Sequence, residues 1–178
     1  SRGLGDVYKR QVYCQTVEVD LDKLCPQVAK PHKVDNVSPI AEVEGTPVQH
    51  AIIGTCTNGR IEDLEVAARI LDGKKIAHGM TLTISPASKA VYIEAIHRGY
   101  VETFLRAGAT IAIPGCSGCS GGAYVGIPAD GEAVITTANR NFKGRLGNAN
   151  SFLYLASPAT VAASALTGCI EDSRNYVR

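Results

Sequence analysis

From residue 50 onward the chain alternates short apolar runs with segments of helical spacing, and this alternation limits the fold more than any other feature. His50-Ala51-Ile52-Ile53 is a strand candidate, and Ile61, Leu64, Ala68 and Leu71 then recur at helical spacing, with Gly73 as a stop. Met80 to Ile84 predicts a second strand, and Ser88 to Arg98 and Val101 to Ala107 predict helices. Thr110 to Ile113 predicts a third strand, Ala133 to Thr136 a fourth and Phe152 to Leu155 a fifth. Pro158 opens a last helix that runs to about Leu166, before Gly168. Strands that take turns with helices build βαβ units. The predicted fold is therefore α/β, a three-layer α/β/α domain with a mostly parallel sheet.

A length of 178 residues, 45% of them apolar, suits one substantial domain with an ordinary core. With 18 basic and 17 acidic residues, charge is balanced, which argues against nucleic acid or a membrane surface as the main partner. No apolar run approaches the roughly 20 residues that cross a bilayer. The expected location is the cytoplasm, by default rather than by a signal. Residues 1–11 show no sustained periodicity and are expected to be a non-native leader. Residues 12–49 are punctuated by Pro26, Pro31, Pro39 and Pro47 and read as an irregular wrapping segment, leaving 50–178 as the α/β domain.

The chemically distinctive residues follow the predicted strands. Gly54-Thr55-Cys56-Thr57-Asn58 follows the first, Ser85-Pro86 the second, Gly115-Cys116-Ser117-Gly118-Cys119 the third, and Asn139-Arg140-Asn141 the fourth. In open α/β sheets ligands bind beyond the carboxyl ends of the strands, so these groups are expected along one edge. A C-x-x-C pair alone serves zinc, redox dithiols or iron–sulfur clusters. Four glycines in Gly115–Gly122 disfavour a helix and allow the backbone to wrap a bulky anionic group with its N–H donors. With Cys56 as third ligand, one iron of a four-iron cluster stays open to substrate. A closed zinc site would need a fourth ligand, and none of His32, His50, His78 and His97 lies in a glycine-rich strand-end loop. Cys14, Cys25 and Cys169 are expected to be small packing residues.

Three segments carry a family likeness: Ile53-Gly-Thr-Cys-Thr-Asn-Gly-Arg-Ile-Glu-Asp63, Gly115-Cys-Ser-Gly-Cys119 and Asn139-Arg-Asn-Phe-Lys-Gly-Arg145. With their flanks, Ala129–Glu132 and Leu155–Thr160, the sequence resembles the aconitase superfamily, on the side of the large subunits of 3-isopropylmalate dehydratase and homoaconitase. The resemblance covers nearly everything after residue 11. It implies the aconitase iron–sulfur domain type, a 4Fe–4S cluster on Cys56, Cys116 and Cys119, and Asn139 beside that cluster. It also implies substrate-carboxylate arginines at Arg140 and Arg145, a role that suits the planar, permanently charged guanidinium. Asn58 and Arg60 are expected around Cys56. Many relatives have Gly-Pro between the paired cysteines, where this chain has Ser117-Gly118, so a looser loop is expected.

The implied activity is that of a hydro-lyase acting on a hydroxy di- or tricarboxylic acid. 3-Isopropylmalate dehydratase of leucine biosynthesis is expected first, with homoaconitase, 2,3-dimethylmalate dehydratase and aconitase as alternatives. The implied partner is a small swivel-domain subunit, and this chain alone is expected to be incomplete for catalysis. Two readings of another class are a cluster-free RNA-binding regulator and a non-catalytic zinc-binding domain.

Overall fold

A computed structural model of the chain describes residues 12–119, 121 and 125–176. The proposed leader, residues 1–11, lies outside them. Seven strands form one sheet: β1 (Gln27–Ala29), β2 (Val37–Pro39), β3 (His50–Gly54), β4 (Thr81–Ser85), β5 (Thr110–Ile111), β6 (Ala133–Thr136) and β7 (Phe152–Leu155). Their order is β2-β1-β7-β6-β3-β4-β5. The five strands from β7 to β5 are parallel, and β1 pairs antiparallel with both β2 and β7.

The helices are α1 (Thr55–Asn58), α2 (Ile61–Leu71), α3 (Lys89–His97), α4 (Tyr100–Ala107) and α5 (Pro158–Thr167). Their ends follow local chemistry. The Arg60 N–H donates to the Asp63 carboxylate at 3.0 Å, capping α2. Ser88 and Ser157 accept from Val91 N and Thr160 N at the starts of α3 and α5, and Pro158 occupies the first turn of α5. Gly168, at φ 76°, closes α5 in the left-handed region.

One face of the sheet (Ala51, Ile53, Leu82, Ile84, Ala133, Ile135) packs into a single core with Leu64 and Leu71 of α2, Ala95 of α3, Phe104 of α4 and Val161 of α5. The opposite face carries a smaller cluster of Ile52, Val134 and Leu153, closed by Val125 and Leu146 from loops. Among the described residues this second face is covered mainly by loops. The β5–β6 and β6–β7 connections are rich in glycine and polar residues and have no helical repeat of apolar side chains. The 12–49 segment does more than wrap, because it adds β1 and β2 to the sheet edge and sends Val28 and Ile40 into the main core. No helix among the described residues is long and apolar enough to cross a membrane.

At the amino-terminal edge His50 Nε2 lies 2.9 Å from Glu132 Oε2, joining the starts of β3 and β6. The Ala129 N–H and then His50 hold the Glu132 carboxyl below its ordinary range. A carboxyl depressed in the folded state contributes stability above its unfolded pKa, about 4.3, and loses it as pH falls through the folded value. Glu132→Gln is therefore expected to lower Tm at pH 7 and to make the fall of Tm below about pH 4.3 shallower. Identical acid slopes for the two proteins would contradict this.

Candidate functional site

Strands β4 and β5 lie to one side of β3, and β6 and β7 to the other. The chain therefore reverses its direction of travel across the sheet between β3 and β6, and the crevice beyond the carboxyl ends there is where an open α/β sheet binds ligands. α1, with Cys56, follows β3 at this point. The 3₁₀ turn Cys116–Gly118 follows β5, and the two turns touch.

The backbone entering α1 is unusual. Gly54 has φ 134°, and a Cβ built on it would stand 1.9 Å from Ser85 O. Thr55 is the described non-glycine residue with positive φ, at 85°, an arrangement that costs a β-branched residue about 1–3 kcal/mol. Hydrogen bonds hold this turn from β6. Gly54 N donates to Thr137 Oγ1 at 2.9 Å, and the Thr137 hydroxyl donates back to Gly54 O at 3.0 Å. The Asn58 amide donates to Thr137 O, and Thr57 Oγ1 donates to Asn139 Oδ1 at 2.8 Å.

The paired-cysteine turn is also tied down. Gly115, at φ 121°, enters it, and Gly115 N donates to Pro86 O at 3.2 Å. Ser117 Oγ donates to Ile113 O, which uses its one proton, so buried Ser85 donates to Ser117 across 3.0 Å. The looser loop expected from Ser117-Gly118 is thus pinned by the serine hydroxyl.

Cys56 and Cys116 are exposed, Cys119 is half-buried, and all three are free thiols. Burial pushes the Cys119 thiol up and the Arg145 guanidinium beside it pulls it down, while Cys116 and Cys56 are near enough to raise it by repulsion. The three predicted cysteines and Arg145 therefore share one electrostatic neighbourhood. Arg145 stands over the Phe142 ring, 5.6 Å from its centre, and its Nε is buried without a partner among the described residues. That unused donor suits an anion. Arg140 is exposed and lines a groove of about 490 Å³ with His32, Lys33, Val34, Asp35 and Phe142, the residue whose ring Arg145 covers. Asn139 and Asn58 sit against the Cys56 turn, whereas Arg60 caps α2 through its backbone, its N–H donating to Asp63 and its C=O accepting from Leu64 N.

Other predicted groups fall elsewhere. Asn141 is fully buried and donates to the carbonyls of Lys30, Lys33 and Leu153, fixing the 30–33 segment to β7. Cys14 is exposed rather than packed, and Cys25 and Cys169 are half-buried. Thr57, Ser85 and Ser117 stand in the strand-end segments the sequence marked, without a role assigned to them, and Thr137 was not singled out. Their flanking positions in the strand-end segments are the only signal that could have marked them.

Three thiols on glycine-framed turns, with an unpaired guanidinium nitrogen alongside, fit an anionic iron–sulfur cluster in donor chemistry. Among the described residues no group of three His, Cys, Asp or Glu side chains is drawn together as a site for a single metal ion. A polynuclear cluster, by contrast, takes its thiolates at separate corners.

A sequence model of the aconitase family (aconitate hydratase) matches residues 39–168. The chain is 52% identical, over 96% of its length, to a protein named 3-isopropylmalate dehydratase large subunit 2 from Archaeoglobus fulgidus, covering 39% of that protein. It is 54% identical, over 91% of its length, to a probable methanogen homoaconitase large subunit from Methanosarcina mazei, covering 40%. The methanogen homoaconitase large subunit of Methanocaldococcus jannaschii is 47% identical over 90% of this chain and 38% of its own length. The chain thus spans about two fifths of the length of these curated relatives.

Proposed function

The chain belongs to the aconitase family, and on that premise we propose that it is the cluster-bearing portion of a hydro-lyase large subunit of the 3-isopropylmalate dehydratase type. The reading rests on one observation: at the carboxyl edge of the parallel sheet the turn that carries Cys56 touches the turn that carries Cys116 and leads to Cys119. The proposed cofactor is a 4Fe–4S cluster held by those three thiolates. When bound, it supplies a Lewis-acidic iron with a coordination position free of protein ligands.

The remaining roles belong to the chain. Arg145 holds a substrate carboxylate through charge-assisted hydrogen bonds, oriented by the Phe142 ring beneath it. Arg140 takes a second carboxylate from the groove side, and its permanent charge offsets the negative charge that grows as the α-proton leaves. Asn139 is held beside the Cys56 turn by Thr57, whose hydroxyl donates to its Oδ1. The base that accepts the proton is assigned to a small swivel-domain subunit, in keeping with the "large subunit" in the relatives' names.

A second reading, homoaconitase, is favoured by the Methanosarcina mazei relative, whose identity matches that of the dehydratase relative. Both acids carry at least two carboxylates and a hydroxyl, so both suit two arginines. The complete enzyme, assayed with isopropylmalate and homocitrate as Arg145→Ala, tests the common mechanism. The expected loss in kcat/KM is about 10- to 100-fold, the worth of a charged hydrogen-bonding pair. Unchanged turnover removes Arg145 from the mechanism.

A further inference from the structure

Between β3 and β6 the ladder follows the ordinary parallel pattern as far as Thr137 N, which donates to Ile52 O at 3.0 Å. The next rung is missing from the backbone. β6 ends at Thr136, β3 runs on to Gly54, and the strands separate into the crevice. Gly54 keeps a single backbone bridge to Asn58, and a side chain just past β6 reaches both its N–H and its C=O. The Thr137 hydroxyl accepts from Gly54 N at 2.9 Å and donates to Gly54 O at 3.0 Å. Thr137 is 1% exposed, so water does not compete for these bonds.

We infer that Thr137 is a positioning residue: its hydroxyl replaces the last rung of the ladder and holds the Gly54-Thr55 backbone in the conformation that presents Cys56 to the cluster. The inference deepens the proposed function and rests on Cys56 being a ligand. Thr55 at φ 85° lies outside the regions an unrestrained threonine prefers, and Gly54 at φ 134° adopts a backbone open to glycine alone. Such backbone persists only where its surroundings over-determine it. Here the restraints are the Thr137 hydroxyl, the Thr137 carbonyl that accepts from Asn58, and Ser85 O pressed against Gly54. Thr137 is also two residues from Asn139, which Thr57 grips. One side chain thereby fixes the Cys56 turn relative to the loop that carries Asn139 and Arg140.

The test compares Thr137→Val, which keeps the shape and removes the hydroxyl, with Thr137→Ser, which keeps the hydroxyl. Thr83→Val, a threonine of β4 at 2% exposure, is the control for burial. After anaerobic reconstitution with iron and sulfide, cluster loss to a chelator is followed by absorbance. Outer-shell partners of metal ligands are worth about 10- to 100-fold, so Thr137→Val should lose its cluster faster by that factor. Thr137→Ser and Thr83→Val should stay near the parent. Equal lifetimes in Thr137→Val and the parent, or equal losses in Thr137→Val and Thr83→Val, overturn the inference. Hydrogen exchange in the cluster-free chain decides independently of any cluster. Exchange of the Gly54 amide should accelerate in Thr137→Val and not in Thr137→Ser, and unchanged protection overturns the inference. If the parent takes up no cluster, the proposed function fails while this exchange measurement still judges the role of Thr137.

Discussion

Replacing Cys56, Cys116 or Cys119 singly by serine is expected to bring iron and acid-labile sulfide, measured after anaerobic reconstitution, close to background. A three-thiolate site has no spare protein ligand, and a serine hydroxyl holds its proton far more tightly than a thiol and binds iron as an alkoxide only after losing it, so each loss removes a corner of support. The structure ranks the three. Cys119 is half-buried beside Arg145, and its serine variant leaves that guanidinium without its sulfur neighbour. Cys56 and Cys116 are exposed, so their serine variants should leave Tm nearly unchanged while still losing the cluster. Cys14→Ser, Cys25→Ser and Cys169→Ser should retain full iron. If any one of these three abolished uptake while Cys56→Ser did not, the ligand assignment would be wrong.

Gly54→Ala is expected to cost about 3–5 kcal/mol, or to prevent folding, in urea denaturation of the cluster-free chain. Two penalties combine. The added Cβ would stand 1.9 Å from Ser85 O and 2.7 Å from Ser85 C, both backbone atoms of the paired strand β4. Relief means prising β3 from β4, an overpacking cost of about 1–3 kcal/mol. A backbone at φ 134° adds strain of roughly the same size for any residue with a side chain. Gly73→Ala separates the two effects. Gly73 also has positive φ, 67°, but nothing lies within 4 Å of its added Cβ, so its cost should be about 1–2 kcal/mol. Equal losses at the two positions would mean that the close approach to β4 contributes nothing.

Periodicity was sufficient where an element buries one continuous face. Ile61–Leu71 is legible as a helix because Leu64, Ala68 and Leu71 line up on the core. The strands beginning at His50, Ala133 and Phe152 were legible as apolar runs between turn residues. β1 and β2 were not, because three-residue strands among prolines show no alternation, and their place in the sheet depends on a partner over 100 residues away. The third strand is shorter than its apolar pattern. After Ile111 the chain turns toward Pro114 and the cysteine turn, although Ala112 N still donates to Ile84 O. The strand-end logic put the cysteines and the Asn139-Arg140-Asn141 segment on one edge without knowledge of strand order, and Arg145 entered through the family likeness. The holding roles of Thr57, Ser85 and Ser117 were not legible, and Thr137 was not marked at all. Thr137 bonds to Gly54 across 83 residues and Thr57 to Asn139 across 82, and nothing local in a hydroxyl residue announces such a contact.

Metal and sulfide analysis of the anaerobically reconstituted chain, read together with its Mössbauer spectrum before and after addition of a hydroxy dicarboxylate, tests the central claim most directly. The account predicts about four iron and four sulfide per chain, with one iron site whose signal shifts when the acid is added. Zinc without sulfide, or a cluster whose irons all ignore the acid, would contradict it.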